Sequence, residues 1–323
     1  MASGAATSIA GRVPDFFIVG HAKSGTTAMY EMLRAHPAIF MPDSKEPWYF
    51  ASELLERTPP RPEGTPRTLE EYRRWFAGAR PEQRVGEASA LYLWSRTAAG
   101  AIAAVQPEAR IIAILREPAS FLRSLHMQFV ETYIETEPDF ERALALEEDR
   151  RHGRHLPRHT YWPQALLYSE HVRYAAQLRR YREAFGPERV LVLVYEDFVA
   201  DNEGTVRRVQ RFLGVDDTLP IPASRANPTV RPRSRRAHGL VHAVSVGHGR
   251  GSLAVKGALK AVMPAKLRRG LVQGVNERLY APPEEVDEAL MERLRARFKP
   301  EVVALGDYLD YDFVKRWGYE RIQ

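Results

Sequence analysis

The segment Gly20–Thr27 (GHAKSGTT) carries residue types that bind a phosphate or sulfate group. It lies between an apolar run, which predicts a buried strand, and a helix-forming run. Its turn should therefore present free backbone N–H groups and the positive end of a helix dipole. The lysine adds a full charge, the hydroxyl groups add donors, and the glycine lets the backbone approach an anion. The candidate anion-binding residues are Lys23, Ser24, Gly25, Thr26 and Thr27.

Two common nucleotide-binding patterns do not fit this turn. The nucleoside-triphosphate loop requires glycine six residues before the lysine and again immediately before it, and these positions hold Phe17 and Ala22. Ala22 also breaks the dinucleotide pattern GxGxxG. The turn therefore predicts an anion site of another kind.

A second candidate lies in Leu115–Ser124 (LREPASFLRS), at the end of another apolar run. Ligands of open α/β sheets bind beyond the carboxyl ends of the strands, so Arg116 should lie near the first turn. Ser124 follows eight residues later, two turns into the next predicted helix, and the two side chains could converge on one phosphate. The alternative is that Arg116 pairs with Glu117 or another carboxylate.

Both segments resemble the sulfotransferases that use 3′-phosphoadenosine 5′-phosphosulfate (PAPS), in their bacterial and heparan-sulfate-like branch. The family's 5′-phosphosulfate loop reads G-x-x-K-[ST]-G-T-[TS], which this chain matches in full. The family's 3′-phosphate motif reads R-[DE]-P-x-x-R-x-x-S, which the chain matches except at Phe121. The resemblance implies an enzyme that transfers a sulfuryl group from PAPS to an acceptor hydroxyl, with Arg116 and Ser124 on the 3′-phosphate.

The resemblance extends over Asp15–Arg236 and the closing helix. Three further segments occur in the family's order: LVYEDF (Leu193–Phe198), RFLG (Arg211–Gly214) and NPTVRPRSRR (Asn227–Arg236). In relatives, a basic loop in the third position folds over the 3′-phosphate end of the donor. This implies donor contacts for Arg233, Ser234 and Arg235.

The chemistry of sulfuryl transfer needs a base and stabilisation of the departing phosphate. Lys45–Phe50 (KEPWYF) resembles the KEPxFF-type segment of the family, which implies that Glu46 is the base. The alternative is a carboxylate that only binds Lys45 or a backbone amide, and His21 and His126 are rival bases. Lys23 and the N–H groups of its turn can stabilise the phosphate as preorganised donors. Because sulfuryl oxygens carry less charge than phosphoryl oxygens, we expect that no metal is required.

The acceptor is less defined by the sequence. Val85–Tyr92 (VGEASALY) contains no histidine, unlike the matching part of the cytosolic steroid and phenol enzymes. It resembles the E-K-T-P-x-Y stretch of glycan enzymes, but Ala88 replaces the lysine and Ala90 the proline, which argues against a polysaccharide acceptor. We expect a small-molecule, lipid or glycolipid acceptor, as in natural-product sulfation. Aromatic side chains, each alternatively a packing residue, could line its pocket: Trp48, Tyr49, Tyr92, Trp94, Tyr161 and Trp162.

Strands that alternate with helices must position these residues. Apolar runs predict strands at Asp15–Gly20, Arg110–Arg116 and Arg189–Tyr195, with a short strand near Val85. Fully apolar strands of this kind indicate a mainly parallel sheet covered by helices on both faces, an α/β fold. We expect a disordered tail at 1–14 and a single domain at 15–323, with a basic, helical cap or lid inserted at about 227–283. The closing helix should run from about Glu284 to Leu309.

Composition limits the class of protein. The 323 residues have a formal charge of +6, which suits an anionic ligand, and no cysteine, which excludes disulfides and thiolate metal sites. The apolar runs are too short to cross a membrane, and the first residues lack a secretion signal, so we expect a cytoplasmic protein. Homo-oligomerisation stays open.

Two other classes compete with the sulfotransferase interpretation. A P-loop phosphotransferase would need a magnesium-binding carboxylate and the glycine-lysine order that the turn lacks. A binder of nucleic acid or anionic membranes could use the basic region at 227–273. We expect no nucleic-acid partner, because the charge is not concentrated in a patch interleaved with aromatic residues.

Overall fold

The chain divides into two units in the computed structural model. The first comprises residues 1–226 and 288–323, and the second residues 227–287. The structure describes residues 11–55, 64–157, 162–221, 231–232, 280–281 and 287–322. In the second unit, the described residues form an antiparallel pair of two-residue strands. Most of the cap expected at about 227–283, including the loop residues Arg233, Ser234 and Arg235, lies outside the described residues. The division into domains stays a prediction.

Five parallel strands form the sheet of the first unit, in the order β2-β3-β1-β4-β5. The strands of both units are β1 (Phe16–Gly20), β2 (Ile39–Phe40), β3 (Arg84–Ala88), β4 (Arg110–Leu115), β5 (Val190–Val194), β6 (Arg231–Pro232) and β7 (Tyr280–Ala281). The predicted α/β class and the four predicted strands are confirmed. Strand β2 was not predicted, because two residues are too short for a hydrophobic period to show.

The central strand β1 lies between β3 and β4, so its carboxyl end is flanked on both sides. Its alternate side chains face opposite layers: Phe17 and Val19 enter the core cluster on one face, and Phe16 and Ile18 the cluster on the other. Since both faces are buried, every residue of the strand is apolar up to Gly20. This fixes where the chain leaves the sheet and where its first turn begins.

Helices cover both faces of the sheet. In chain order they are α1 (Thr26–Arg34), α2 (Ser52–Leu55), α3 (Leu69–Arg74), α4 (Ala98–Val105), α5 (Pro118–Glu131), α6 (Phe140–Ala145), α7 (Glu147–Arg151), α8 (Tyr168–His171), α9 (Tyr174–Phe185), α10 (Tyr195–Ala200), α11 (Asn202–Leu213), α12 (Glu288–Leu309) and α13 (Phe313–Arg316). Buried residues of α1, α10 and α11 pack on one face, and those of α4, α5, α9 and α12 on the other. None of these described helices combines the length and the apolar character needed to span a lipid bilayer.

The beginning of the described chain is held by hydrogen bonds. Arg12 donates to the carbonyls of Pro81 (3.0 Å) and Gln83 (3.1 Å) and pairs with Asp15 at 3.1 Å. Residues 11–14 of the tail expected at 1–14 are therefore attached to the loop before β3. Residues 1–10 lie outside the described part.

At Gly86, β3 lies so close to its neighbours that a larger side chain should not fit, which a substitution can test. A Cβ atom there would lie 2.2 Å from Phe16 Cζ and 2.3 Å from Met41 Sδ. We expect Gly86→Ala to lower the free energy of unfolding by roughly 1–3 kcal/mol through overpacking, measured by urea denaturation. The matched control is Gly100→Ala in α4, where nothing lies within 4 Å of the new methyl group. This control should raise the free energy by about 0.5–1 kcal/mol, and equal stabilities of the two variants would contradict the packing argument.

Candidate functional site

The turn after β1 contains two glycines that the geometry requires. At Gly20, a Cβ atom would lie 2.8 Å from Leu93 Cβ and 3.0 Å from the Ala90 carbonyl oxygen. Gly25 has a φ of 83°, in the left-handed region, and its Cβ would lie 3.0 Å from the Phe198 ring. The reason for Gly25 thus includes the close approach of Phe198, besides access for an anion.

The amino end of α1 is available to an anion. Gly25 precedes the helix and, having no side chain, cannot cap it, and the first helical bond is Met29 N to Gly25 O. The N–H groups of the first turn therefore have no side-chain cap, and the helix dipole places positive potential there. Ser24 and Thr26 line the same turn and are almost completely buried.

The Lys23 ammonium group is the charged element of the turn. Its backbone has a φ of 60°, and within the described chain its Nζ makes neither a hydrogen bond nor an ion pair. Burial lowers the pKa of Lys23, Glu131 opposes this shift, and Arg116 adds to it. A partly buried cation without a protein partner is suited to bind an anionic ligand.

Arg116 joins the second predicted motif to the first. It follows β4, the neighbour of β1, and its Nη1 donates to the Lys23 carbonyl oxygen at 2.9 Å. Its guanidinium carbon lies 4.8 Å from the centroid of the Tyr195 ring, a cation–π contact. The alternative of a pair with Glu117 is not observed, because that carboxylate caps α5 through the N–H groups of Ala119 (3.0 Å) and Ser120 (2.8 Å).

Ser124 lies on α5, two turns after Arg116. It is 4% exposed, and its buried hydroxyl has no hydrogen-bond partner among the described residues. Because buried hydroxyls are normally paired, this group is suited to donate to a bound phosphate. Between the two residues, the fully buried Phe121 packs its ring 4.9 Å from that of His21. Packing of rings therefore replaces the arginine of the family's motif at this position.

Glu46 lies beside the turn, connected through Lys45. The Lys45 Nζ donates to Thr27 Oγ1 at 2.7 Å and to Glu46 Oε1 at 3.1 Å. The Trp48 indole N–H donates to the other carboxylate oxygen, Oε2, at 2.8 Å. Glu46 is 24% exposed at its side chain. The ion pair with Lys45, which the sequence left as an alternative, is present, and it brings the carboxylate to the edge of the anion-binding turn.

The two rival histidines have other hydrogen bonds. His21 Nε2 lies 2.7 Å from Gln177 Oε1, and the Gln177 amide nitrogen donates to the carbonyls of Glu170 and His171. This fixes the amide, so His21 donates from Nε2, and burial lowers the pKa of His21 to about 3. His126 Nε2 bonds to the Glu137 carbonyl at 2.9 Å, and burial lowers its pKa. Both rings serve packing and hydrogen bonding in the described structure.

A buried carboxyl group that the sequence did not identify as a site residue is Glu87. It lies on β3 and accepts hydrogen bonds from Tyr72 Oη (2.7 Å) and Tyr92 Oη (3.1 Å). Burial raises the pKa of Glu87 to about 7, and nearby Glu46 contributes to the rise. The sequence of β3 did not predict these hydrogen bonds. Alternation with a period of two predicts which face of the sheet a side chain lies on, but not which groups it contacts.

The aromatic candidates separate into packing residues and residues near Glu46. Tyr92 is fully buried, and Tyr49 stacks on Tyr72. Trp48 and Trp162 form an edge-to-face pair with ring centroids 5.4 Å apart, next to the Glu46 carboxylate. Trp94 stacks on His171, and Tyr161 lies outside the described residues. Trp48, which donates to the Glu46 carboxylate, and its ring partner Trp162 are thus linked to the predicted base.

Comparison with known proteins identifies relatives. A model of the "Sulfotransferase family" matches residues 14–218. Mouse (Mus musculus) carbohydrate sulfotransferase 15 is 27% identical over 281 aligned residues, covering 69% of this chain and 48% of the relative. Human (Homo sapiens) heparan sulfate glucosamine 3-O-sulfotransferase 6 is 31% identical over 210 residues, covering 63% and 53%. The chain thus spans about half the length of the curated relatives it matches.

A solved structure is similar over nearly the whole chain. The crystal structure of a sulfotransferase from Alicyclobacillus acidocaldarius superposes with a TM-score of 0.67 at 28% identity. The match covers 95% of this chain and 99% of that one. The similarity therefore includes the parallel sheet and the elements that position the site.

The buried Glu87 predicts a specific pH dependence of stability. Its pKa rises from 4.5 to about 7 on folding, so between these values the native state binds more protons than the unfolded chain. The free energy of unfolding should therefore fall as pH rises through this window. Because Glu87→Gln removes the titrating group, the variant should gain on the order of 3 kcal/mol relative to the parent between the two pH values. Urea denaturation at several pH values measures this, and a constant difference would contradict it.

Proposed function

Because the chain belongs to the sulfotransferase family, we propose that it transfers the sulfuryl group of PAPS to an acceptor hydroxyl and releases adenosine 3′,5′-bisphosphate. One observation carries this proposal. Arg116, at the end of β4, donates a hydrogen bond to the carbonyl of Lys23 in the turn after β1. Two anion-binding groups therefore lie side by side at one edge of the sheet, as a nucleotide with phosphates at both its 3′ and 5′ positions would require.

The residues present suit the proposed donor. Lys23 and the N–H groups at the start of α1 would hold the 5′-phosphosulfate end, with Ser24, Gly25, Thr26 and Thr27 forming the turn. Arg116 would hold the 3′-phosphate together with the Ser124 hydroxyl, which has no partner within the described residues. Donor contacts of Arg233, Ser234 and Arg235 are part of the proposal, although these residues lie outside the described ones.

The proposed mechanism uses a proton acceptor and preorganised positive charge. When bound, PAPS supplies an activated sulfuryl group on a phosphate leaving group. Glu46 takes the proton of the acceptor hydroxyl while the new oxygen–sulfur bond forms and the bond from sulfur to the phosphate oxygen breaks. Lys23 and the turn's N–H groups stabilise the charge that develops on that phosphate.

The acceptor we propose is a small molecule, a lipid or a glycoside. Trp48 and Trp162 lie next to Glu46 and offer apolar ring surface to the carrier of the hydroxyl. At Ala88, the end of β3 has a methyl group instead of a cation, so polyanionic chains gain no charge pairing there. The cytoplasmic location and any homo-oligomer stay predictions from the sequence.

Donor binding is tested by thermal shift with adenosine 3′,5′-bisphosphate against ATP with magnesium. We expect the bisphosphate to raise the melting temperature more. Lys23→Ala and Arg116→Ala should each weaken its binding about 10- to 100-fold, because each removes a charged contact. The matched control is Arg110→Ala, at the opposite end of β4, where the guanidinium stacks on Phe212. Stronger stabilisation by ATP would instead support a phosphotransferase.

The role of Glu46 is tested by separating binding from turnover. We expect Glu46→Gln to keep bisphosphate affinity within about twofold and to lower sulfuryl transfer about 100-fold, the range of a lost general base. Transfer from sulfur-labelled PAPS to a panel of hydroxylated acceptors gives the rate. Asp43→Asn is the control, because this carboxylate is 94% exposed and pairs with Arg34. Near-parent turnover of Glu46→Gln would remove the base assignment and leave the donor site standing.

A further inference from the structure

The segment Lys45–Phe50, which carries Glu46, is hydrogen-bonded to residues 88–92, at the end of β3 and directly after it. Three alternate backbone amides of this segment donate to residues 88–92: Glu46 N to Ala88 O (2.9 Å), Trp48 N to Ser89 Oγ (3.4 Å) and Phe50 N to Tyr92 Oη (3.2 Å). Strand β3 itself is paired with β1 on one side. The backbone of this segment is therefore held by residues 88–92, while Lys45 and Trp48 contact the Glu46 carboxylate itself.

The backbone of this segment needs such support. Glu46 has a φ of 64° and Trp48 a φ of 51°, both in the left-handed region that residues with a Cβ avoid. Residues in this conformation persist where their surroundings determine them, and they concentrate at functional sites. Loss of one of the three amide contacts should let the segment relax and redirect the Glu46 carboxylate.

Glu87 sets the direction of the Tyr92 hydroxyl, which accepts the third of these contacts, from the Phe50 amide. The Tyr92 hydroxyl donates its proton to Glu87 Oε2 at 3.1 Å, which leaves an oxygen lone pair for the Phe50 N–H. Without an acceptor at Glu87, this hydroxyl would lose the carboxylate oxygen that sets its direction. Tyr72 donates to the same oxygen at 2.7 Å. Among the described residues, its hydroxyl makes no hydrogen bond to the Glu46 segment.

We infer that Glu87 is a positioning residue, which orients the Glu46 carboxylate through the hydroxyl of Tyr92 and the amide of Phe50. The inference rests on the proposed function, in which Glu46 accepts the acceptor's proton. Glu87 is completely buried and therefore does not meet the acceptor. Glu46, whose side chain is partly exposed, takes the proton in the proposed reaction, and Glu87 holds the geometry.

A tryptophan reports the orientation of Glu46 without any acceptor. The Trp48 indole N–H donates to Glu46 Oε2 at 2.8 Å, so its NMR resonance in isotope-labelled protein depends on that bond. The chain has five tryptophans, and Trp48→Phe identifies the signal. Glu46→Gln should move this resonance and thus calibrate the response.

We expect Tyr92→Phe and Glu87→Ala to move the Trp48 resonance in the same direction as Glu46→Gln. Tyr72→Phe and the conservative Glu87→Gln, whose amide oxygen still accepts from Tyr92, should leave it in place. In Tyr92→Phe, kcat should fall about 10- to 100-fold through misplacement of the base, with unchanged affinity for adenosine 3′,5′-bisphosphate. If Glu87→Ala does not fold, the pair of tyrosine variants decides, since a phenyl ring keeps the buried volume.

A Trp48 resonance that stays in place in Tyr92→Phe, while Glu46→Gln moves it, would overturn the inference. So would equal effects of Tyr92→Phe and Tyr72→Phe. Failure of the proposed function has a different signature. In that case the bisphosphate does not bind or Glu46→Gln keeps its turnover, while the resonance still reports whether Glu87 orients Glu46.

Discussion

The hydrogen bond from the Arg116 guanidinium to the Lys23 carbonyl is the contact on which the site depends. It exists because β1 and β4 are parallel neighbours, so both chains leave the sheet at the same edge. Lys23 has a left-handed backbone, and the arginine holds its carbonyl. In the part of the chain that the structure describes, the ammonium group makes neither a hydrogen bond nor an ion pair. Two stretches that are 93 residues apart in sequence thereby meet at the proposed anion site.

Burial gives similar groups different roles around this surface. Glu46 and Glu87 are carboxylates of neighbouring segments, but one is partly exposed beside Lys45 and the other is sealed among tyrosines. Desolvation raises the pKa of Glu87 to about 7 and lowers that of His21 to about 3. The buried groups thus serve as fixed hydrogen-bond partners, and the partly exposed carboxylate is the one that we propose as the base.

The departure from the family's motif at Phe121 has a packing explanation. Its ring lies against His21, which is itself held by Gln177 and by Tyr174 at a ring distance of 5.3 Å. The apolar ring of Phe121 on α5 therefore supports the turn by close contact. Arg116 and Ser124 keep their places without an arginine between them, because the strand end and the helix axis already determine their positions.

Local hydrophobic period and residue type were enough to predict the class of fold, the four longer strands and the turn Gly20–Thr27. The sequence also placed Arg116 and Ser124 at the correct strand end and helix. Only the folded chain shows that Arg116 bonds to Lys23 and not to Glu117. It also shows that His21 and His126 have other hydrogen-bond partners and that Glu87 accepts from Tyr72 and Tyr92. These outcomes depend on which side chains meet across strands and on how deeply each is buried, and neither is encoded in the spacing of residues along the chain.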